Sequence, residues 1–182
     1  PWSDEERLAL EEATAREPEQ IRGQEPLYWE DVEEDTDLEP LTKGPLRMWD
    51  MMCWFSARGI YDGFSRSTRN ILATPALGLL HPGSNAREPI EIVHTDNDAA
   101  RTAGLPGAYD LGAARQSYQM QSLTHVVGDD AWIKYNSADY RRFVYLGDAM
   151  TFHNQVMRKF VDDDGEHCIE VVGATMNQRD EN

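Results

Sequence analysis

The apolar positions of the chain recur mainly at helical spacing up to about residue 127. In the C-terminal third they change to a strand-like period. The opening stretch SDEERLALEEATARE predicts a helix. Ser3 with Glu6 three residues later forms a capping box, in which the hydroxyl takes one orphan N–H and the carboxylate returns to another. Acids in its first turn suit the positive end of the helix dipole. GQEPLYWEDVEEDTDLEPLTKGPL is predicted extended, punctuated by Pro26, Pro40 and Pro45, with Tyr28, Trp29 and Val32 as anchors. RMWDMMCWFSARG returns to helical spacing. Trp49, Met52, Cys53 and Ser56 share a face, and Gly59 is the stop. Such a Met and Trp stripe is a core face rather than a cofactor box.

From residue 60 to 91 the pattern weakens. DGFSRSTRN, LHPGSNAREP and the prolines predict a long loop with little regular structure, a length that in compact domains is functional or mobile. DNDAARTAG predicts a short helix capped by Asp96 or a neighbour and ended by Gly104, and LPG turns the chain. DLGAARQSYQMQSLTHVV predicts a longer helix, Asp110 to about Val127, with Leu111, Ala114, Tyr118 and Leu123 near one face. DYRRFVYLG, AMTFHNQVMRKFV and EHCIEVVGATMNQ then predict three strands. Gly147–Asp148 and the run Asp162 to Gly165 are the turn signals between them. Helix and loop first, a central helix next and an antiparallel meander last predict an α+β fold, one long helix lying against a curved sheet. Residues 1–20 form an acidic helix, and 21–182 a single domain carrying the 60–91 loop.

Charge sharpens this outline. The net charge is −16 over 182 residues. Residues 1–40 hold fifteen acids and three arginines, so −12 of it is N-terminal. This argues against nucleic acid and anionic membrane as partners. Solubility is the simplest account of the acids. Cys53 and Cys168 make no CxxC pair, which predicts a reduced, cytoplasmic protein. The apolar run ILATPALGLL is too short to span a bilayer, and the acidic N-terminus is unlike a signal peptide.

The stretch IVHTDNDAARTAGLPGAYDLG, Ile92 to Gly112, carries the candidate chemistry. His94, Ala100, Arg101, Gly104, Pro106, Gly107 and Gly112 fall there in a spacing that resembles, without a gap, the MaoC-like hot-dog enzymes. These are the (R)-specific enoyl-CoA hydratases and dehydratases. RRFVYLGDAMTFHNQVMRKF and IEVVGATMNQRDE resemble the same family's strands, its Gly-Asp turn and its closing Asn-Gln motif. YWEDVEEDTDLEPLTKGPL looks like the opening of its acyl dehydratase branch. The resemblance covers about residues 25–182.

The resemblance implies a hot-dog fold, an antiparallel sheet wrapped around the central helix, here with an added N-terminal helix. It implies a 2-enoyl-CoA or 3-hydroxyacyl-CoA thioester as substrate, with the coenzyme part of the substrate and no metal or redox cofactor. His94 would be the general acid/base, since imidazole titrates near neutral pH. Gly112 would offer its amide to the thioester oxyanion at a helix N-terminus. Arg141 and Arg142 would meet the CoA phosphates, although both could equally be outward strand residues blunting a sheet edge.

The departures are as informative. The family's acidic partner, five residues before the histidine, is replaced by Pro89. Glu91 and Ile92 stand in place of its Asn-Pro, Leu111 in place of the histidine of its His-Gly, and Asp180 in place of the closing glycine. Asp62, Asp110 and Glu91, in that order, are the carboxylates that could substitute. His94 could instead cap the short helix or sit in a core hydrogen bond. His125, Asp129 and Asp130 could hold a metal, but a helix end followed by a turn explains them better. Another hot-dog subunit, the same chain or a different one, is the implied partner. A second reading is a non-catalytic subunit that shapes the acyl pocket of another chain, and a third is an acyl-CoA thioesterase on the same fold.

Overall fold

The computed structural model describes residues 2–59 and 63–179. In chain order its elements are α1 (Asp4–Ala15), β1 (Thr36–Asp37), β2 (Leu41–Lys43), α2 (Met48–Arg58), α3 (Phe64–Ala73), β3 (Gly78–Leu80), β4 (Arg87–Pro89), α4 (Asn97–Thr102), α5 (Gly112–Val127), β5 (Met150–Val161) and β6 (His167–Asn177). The fold is α+β, as the pattern predicts. Its contacts divide it into two compact units. One comprises residues 1–45, 115–142 and 149–182, and the other 46–114 and 143–148.

The first unit is built on β5. This strand pairs antiparallel with β6 on one edge and with β1 and β2 on the other. Met150, Phe152, Asn154 and Val156 are all buried, the alternation that turns one face of a strand inward. Phe152 is opposite Leu41 on one neighbour and Thr175 on the other. The β5–β6 turn is closed by Asp162, whose Oδ1 accepts the N–H groups of Asp164 and Glu166 at 3.0 and 2.9 Å. Lys134 bonds Asp162 Oδ2 at 2.5 Å and holds its carboxyl down at about 2. The capping box of α1 forms as expected, Glu6 N–H to Ser3 Oγ at 3.2 Å and Ser3 N–H to Glu6 Oε2 at 2.8 Å. Near the end of α1, Thr14 Oγ1 donates to the Gly44 carbonyl at 2.8 Å. Trp29 is the anchor of the extended segment, with its Nε1–H on the Cys168 carbonyl and its ring stacked on His167. Tyr28 is exposed instead.

Within this unit α5 meets the sheet through amides. Asn154 Nδ2 donates to Ser122 Oγ at 2.9 Å, and Gln119 Nε2 donates to Asn154 Oδ1 at 2.5 Å. Gly173 of β6 leaves room for this pair: a Cβ there would overlap Asn154 Oδ1 and lie 2.9 Å from Gln119 Nε2. Gly173→Ala is therefore expected to lower stability by about 1–3 kcal/mol, the usual cost of overpacking. An unchanged urea midpoint would contradict this placement.

Further along α5, His125 is buried and its Nδ1 has no hydrogen-bond partner among the described residues. Glu17 Oε1 lies 3.9 Å from its Nε2, and Glu17 itself is bonded to Lys43. Burial pushes the imidazole below its ordinary pKa, Glu17 opposes that shift, and Lys43 reinforces it. The folded chain thus favours neutral His125. As pH falls below about 6.5, the unfolded chain takes up the proton first and stability is lost. The difference in urea midpoint between pH 7.5 and 5.5 is expected to shrink in His125→Gln, and an equal difference in both proteins would refute this origin.

In the second unit a small core joins Val93, Ala100 and Ala108 to Leu79, Ile90, Leu105, Tyr109 and Leu146. Here the structure corrects the sequence pattern in several places. In α2 the buried residues are Met51 and Phe55, four apart, whereas Trp49 is 68% exposed and Cys53 is exposed. The inward stripe therefore runs one column away from the Trp49–Met52–Cys53–Ser56 face. Gly59 does end the helix, in the left-handed region at φ 64°. The expected 60–91 loop instead contains α3 and the β3–β4 hairpin. Only Ile71 of α3 is buried, and hydroxyl residues fill its sequence, as where Thr68 Oγ1 bonds back to the Phe64 carbonyl at 2.8 Å. Its apolar residues Phe64, Ile71 and Leu72 do share one helical face, but Phe64 and Leu72 are exposed.

The first of the three expected strands does not form a ladder. Residues 139–147 carry one isolated bridge, Tyr109 to Tyr145. The bonds of that bridge run from Asp110 N–H to the Val144 carbonyl and from Leu146 N–H to the Ala108 carbonyl, and beyond it Gly147 N–H bonds the Leu46 carbonyl. The Gly147–Asp148 turn is present, with Asp148 Oδ2 accepting the Tyr145 N–H at 3.0 Å.

Candidate functional site

His94 and its surroundings lie within the second unit. His94 ends a 3-10 turn, Ile90–His94. The following α4 begins as expected. Asp96 caps it by accepting the Ala99 N–H at 2.7 Å, and that bond, reinforced by His81 3.5 Å away, holds its carboxyl below the ordinary range. His81 in turn accepts the Gly83 and Ser84 N–H groups at Nδ1, both at 3.1 Å, so it fixes the β3–β4 turn. Asn97 Oδ1 accepts the Ala108 N–H at 2.9 Å and secures the segment after Gly107.

That segment carries the contact that orients His94. Its Nδ1 lies 2.9 Å from the Tyr109 carbonyl. A carbonyl only accepts, so Nδ1 carries the proton and Nε2 of the neutral ring is left as an acceptor. The imidazole is 9% exposed. The Tyr109 ring stands edge-on to it at 4.5 Å, and Phe55 lies behind at 6.2 Å. Burial, followed by the charge of Asp110, raises the Tyr109 phenol above its ordinary pKa, so it stays protonated at neutral pH.

The other expected residues fall as follows. Asp110 is 2% exposed and next to Tyr109 in the chain. Gly112 is the first residue of α5, where amides have no intrahelical partner. Glu91 is exposed. Asp62 and Asp180 lie outside the described residues. Arg141 and Arg142 belong to the first unit and are exposed, and neither sits on a strand. Arg141 lines a cleft of about 300 Å³ with Arg115, Gln119 and Thr175, and the Arg142 carbonyl accepts from Arg115 at 3.0 Å. Among the described residues, no cluster of His, Cys, Asp and Glu is arranged to hold a metal, and no helix is long and apolar enough to cross a membrane.

No family model matches the chain, and no curated protein matches it. A solved structure does, the monoamine oxidase regulatory protein from Archaeoglobus fulgius. The two agree with a TM-score of 0.59 over 86% of this chain and 87% of that one, at 16% identity. The fold is hot-dog-like. At that identity the likeness carries the fold and leaves the chemistry to be argued from this chain's own residues.

Sequence reasoning did not identify the Tyr109 carbonyl as the partner of His94, nor Phe55, Phe143 and Tyr145 as its aromatic surroundings. A backbone acceptor leaves no mark in the sequence. The aromatics do, since Phe143 and Tyr145 alternate around Val144, but they signal a strand before they signal a wall.

Proposed function

We propose that the protein hydrates 2-enoyl-CoA thioesters and, in reverse, dehydrates 3-hydroxyacyl-CoA thioesters. The observation that carries this reading is the bond from His94 Nδ1 to the Tyr109 carbonyl, which presents Nε2 as a base. In the forward direction Nε2 takes a proton from water, whose oxygen bonds to the β-carbon. The π electrons move to the α-carbon and thioester oxygen, and the α-carbon then takes a proton from the imidazolium. Water is consumed, one C–O and one C–H bond form, and the thioester stays intact. The Gly112 amide, at the positive end of α5, would hold the enolate oxygen. Asp62 or Asp110 is the proposed carboxylate for orienting the water. Arg141 and Arg142 are the proposed contacts for the CoA phosphates. The reaction needs no resident metal or redox group, and a second hot-dog subunit is the proposed partner.

A non-catalytic or regulatory subunit is the second reading. It is favoured by one observation: among the described residues, His94 bonds a carbonyl and no carboxylate. The name of the structural neighbour points the same way. Loss of enoyl absorbance on adding the purified protein to short and medium trans-2-enoyl-CoAs, abolished in His94→Ala, is the expected result. Absence of turnover by the folded wild type on every chain length would favour the second reading. Release of free CoA without hydration would point to a thioesterase.

A further inference from the structure

The rings around His94 form a series. Phe55, His94, Tyr109, Phe143 and Tyr145 follow one another with centroid distances of 6.2, 4.5, 4.6 and 6.1 Å. Each ring is tilted or edge-on to the next, the favourable arrangement for aromatic quadrupoles. Phe55 is 1% exposed and His94 9%, Phe143 is the exposed ring at 47%, and Tyr145 beyond it is half-buried again. The candidate base is thus the second ring from the buried end of an aromatic path that reaches solvent. Rings flank the imidazole, while the branched side chains of Leu79, Ile90, Leu105 and Leu146 pack with Tyr109 on the core around Val93. Tyr109, half-buried, adds a polar edge to the series.

We propose that this ring series selects thioesters whose acyl group carries an aryl ring conjugated to the 2-enoyl double bond, in preference to straight-chain acyl groups. The inference rests on the proposed function for where the acyl group goes, and it names the class of substrate. A flat aryl group presents an edge and a face to Tyr109 and Phe143, and each such contact adds about 0.5–1.5 kcal/mol beyond area burial, or about two- to tenfold in affinity. A flexible alkyl chain gains no such term.

Binding and turnover test this separately. The unreactive 3-phenylpropanoyl-CoA and hexanoyl-CoA are titrated calorimetrically into the purified wild-type chain, Phe143→Leu and Tyr109→Leu. Phe143 is half exposed, so its replacement tests recognition with little effect on folding. The aryl thioester is expected to bind wild type about tenfold more tightly than the alkyl one, and either substitution is expected to cut that ratio to about twofold or less. Dehydration of 3-hydroxy-3-phenylpropanoyl-CoA is followed in parallel, because conjugation favours the enoyl side. Equal or weaker aryl binding to wild type, no binding of either thioester, or a ratio retained in Phe143→Leu overturns the inference. Turnover of straight-chain substrates without aryl preference overturns it while leaving the hydratase reading intact. Aryl preference in binding without any turnover supports the ring series as a recognition surface and removes the hydratase reading instead.

Discussion

Replacing His94 by alanine is expected to lower turnover of a 2-enoyl-CoA by about 10²- to 10⁴-fold, the range for loss of a positioned general acid–base group. That corresponds to about 3–5 kcal/mol of transition-state stabilisation. The effect must be separated from packing, because His94 is buried between Phe55 and Tyr109. His94→Gln makes that separation. The glutamine amide can donate to the Tyr109 carbonyl as Nδ1 does, but it cannot accept a proton at neutral pH. Both variants are expected to lose activity to a similar degree, with His94→Gln melting within a few degrees of wild type. Activity retained in the glutamine variant would mean that His94 only holds the Tyr109 segment in place.

The largest effect on stability is expected at Phe152. It is fully buried near the start of β5, opposite Leu41, which is itself 2% exposed. Alanine there removes the ring and leaves a cavity that the paired strands on both edges hold open. The expected cost is about 3–5 kcal/mol. For a chain of this size that lowers the melting temperature by about 10 °C. Urea denaturation reads the same change at an unaltered slope. A loss below about 1 kcal/mol would mean that the inner face of β5 can collapse around the gap, contrary to its close pairing.

These two positions also mark what was legible in the sequence. The alternation along Met150, Phe152 and Val156 is a direct record of a half-buried strand, and both C-terminal strands follow from it. The capping box at Ser3 and Glu6, the Asp96 cap and the Gly59 stop are local chemistry, settled within a few residues, and all three form. The 60–91 segment was not legible. α3 is short and lies between Gly63 and Pro75, so the turn signals around it outweigh the face shared by Phe64, Ile71 and Leu72, and the β3–β4 strands are three residues each. Residues 139–147 mislead for the opposite reason. Their alternation is strand-like, but pairing stops at the single Tyr109–Tyr145 bridge, because Gly147 N–H turns to the Leu46 carbonyl and the Gly147–Asp148 turn follows. Of the candidate site, the family resemblance points to His94, and the sequence places the start of the long helix at Asp110, two residues before its observed start at Gly112. The orientation of the imidazole was not legible, because it depends on a main-chain carbonyl fifteen residues away.

The most direct test of the hydratase reading follows the oxygen atom. Wild-type protein is incubated with a trans-2-enoyl-CoA in heavy-oxygen water, and the thioester products are analysed by mass. The account predicts a 3-hydroxyacyl-CoA with the heavy oxygen on its β-carbon, an intact thioester, and none of this product above background with His94→Gln. Unchanged substrate with the folded wild-type chain, or heavy oxygen in a released carboxylate beside free CoA, would contradict it.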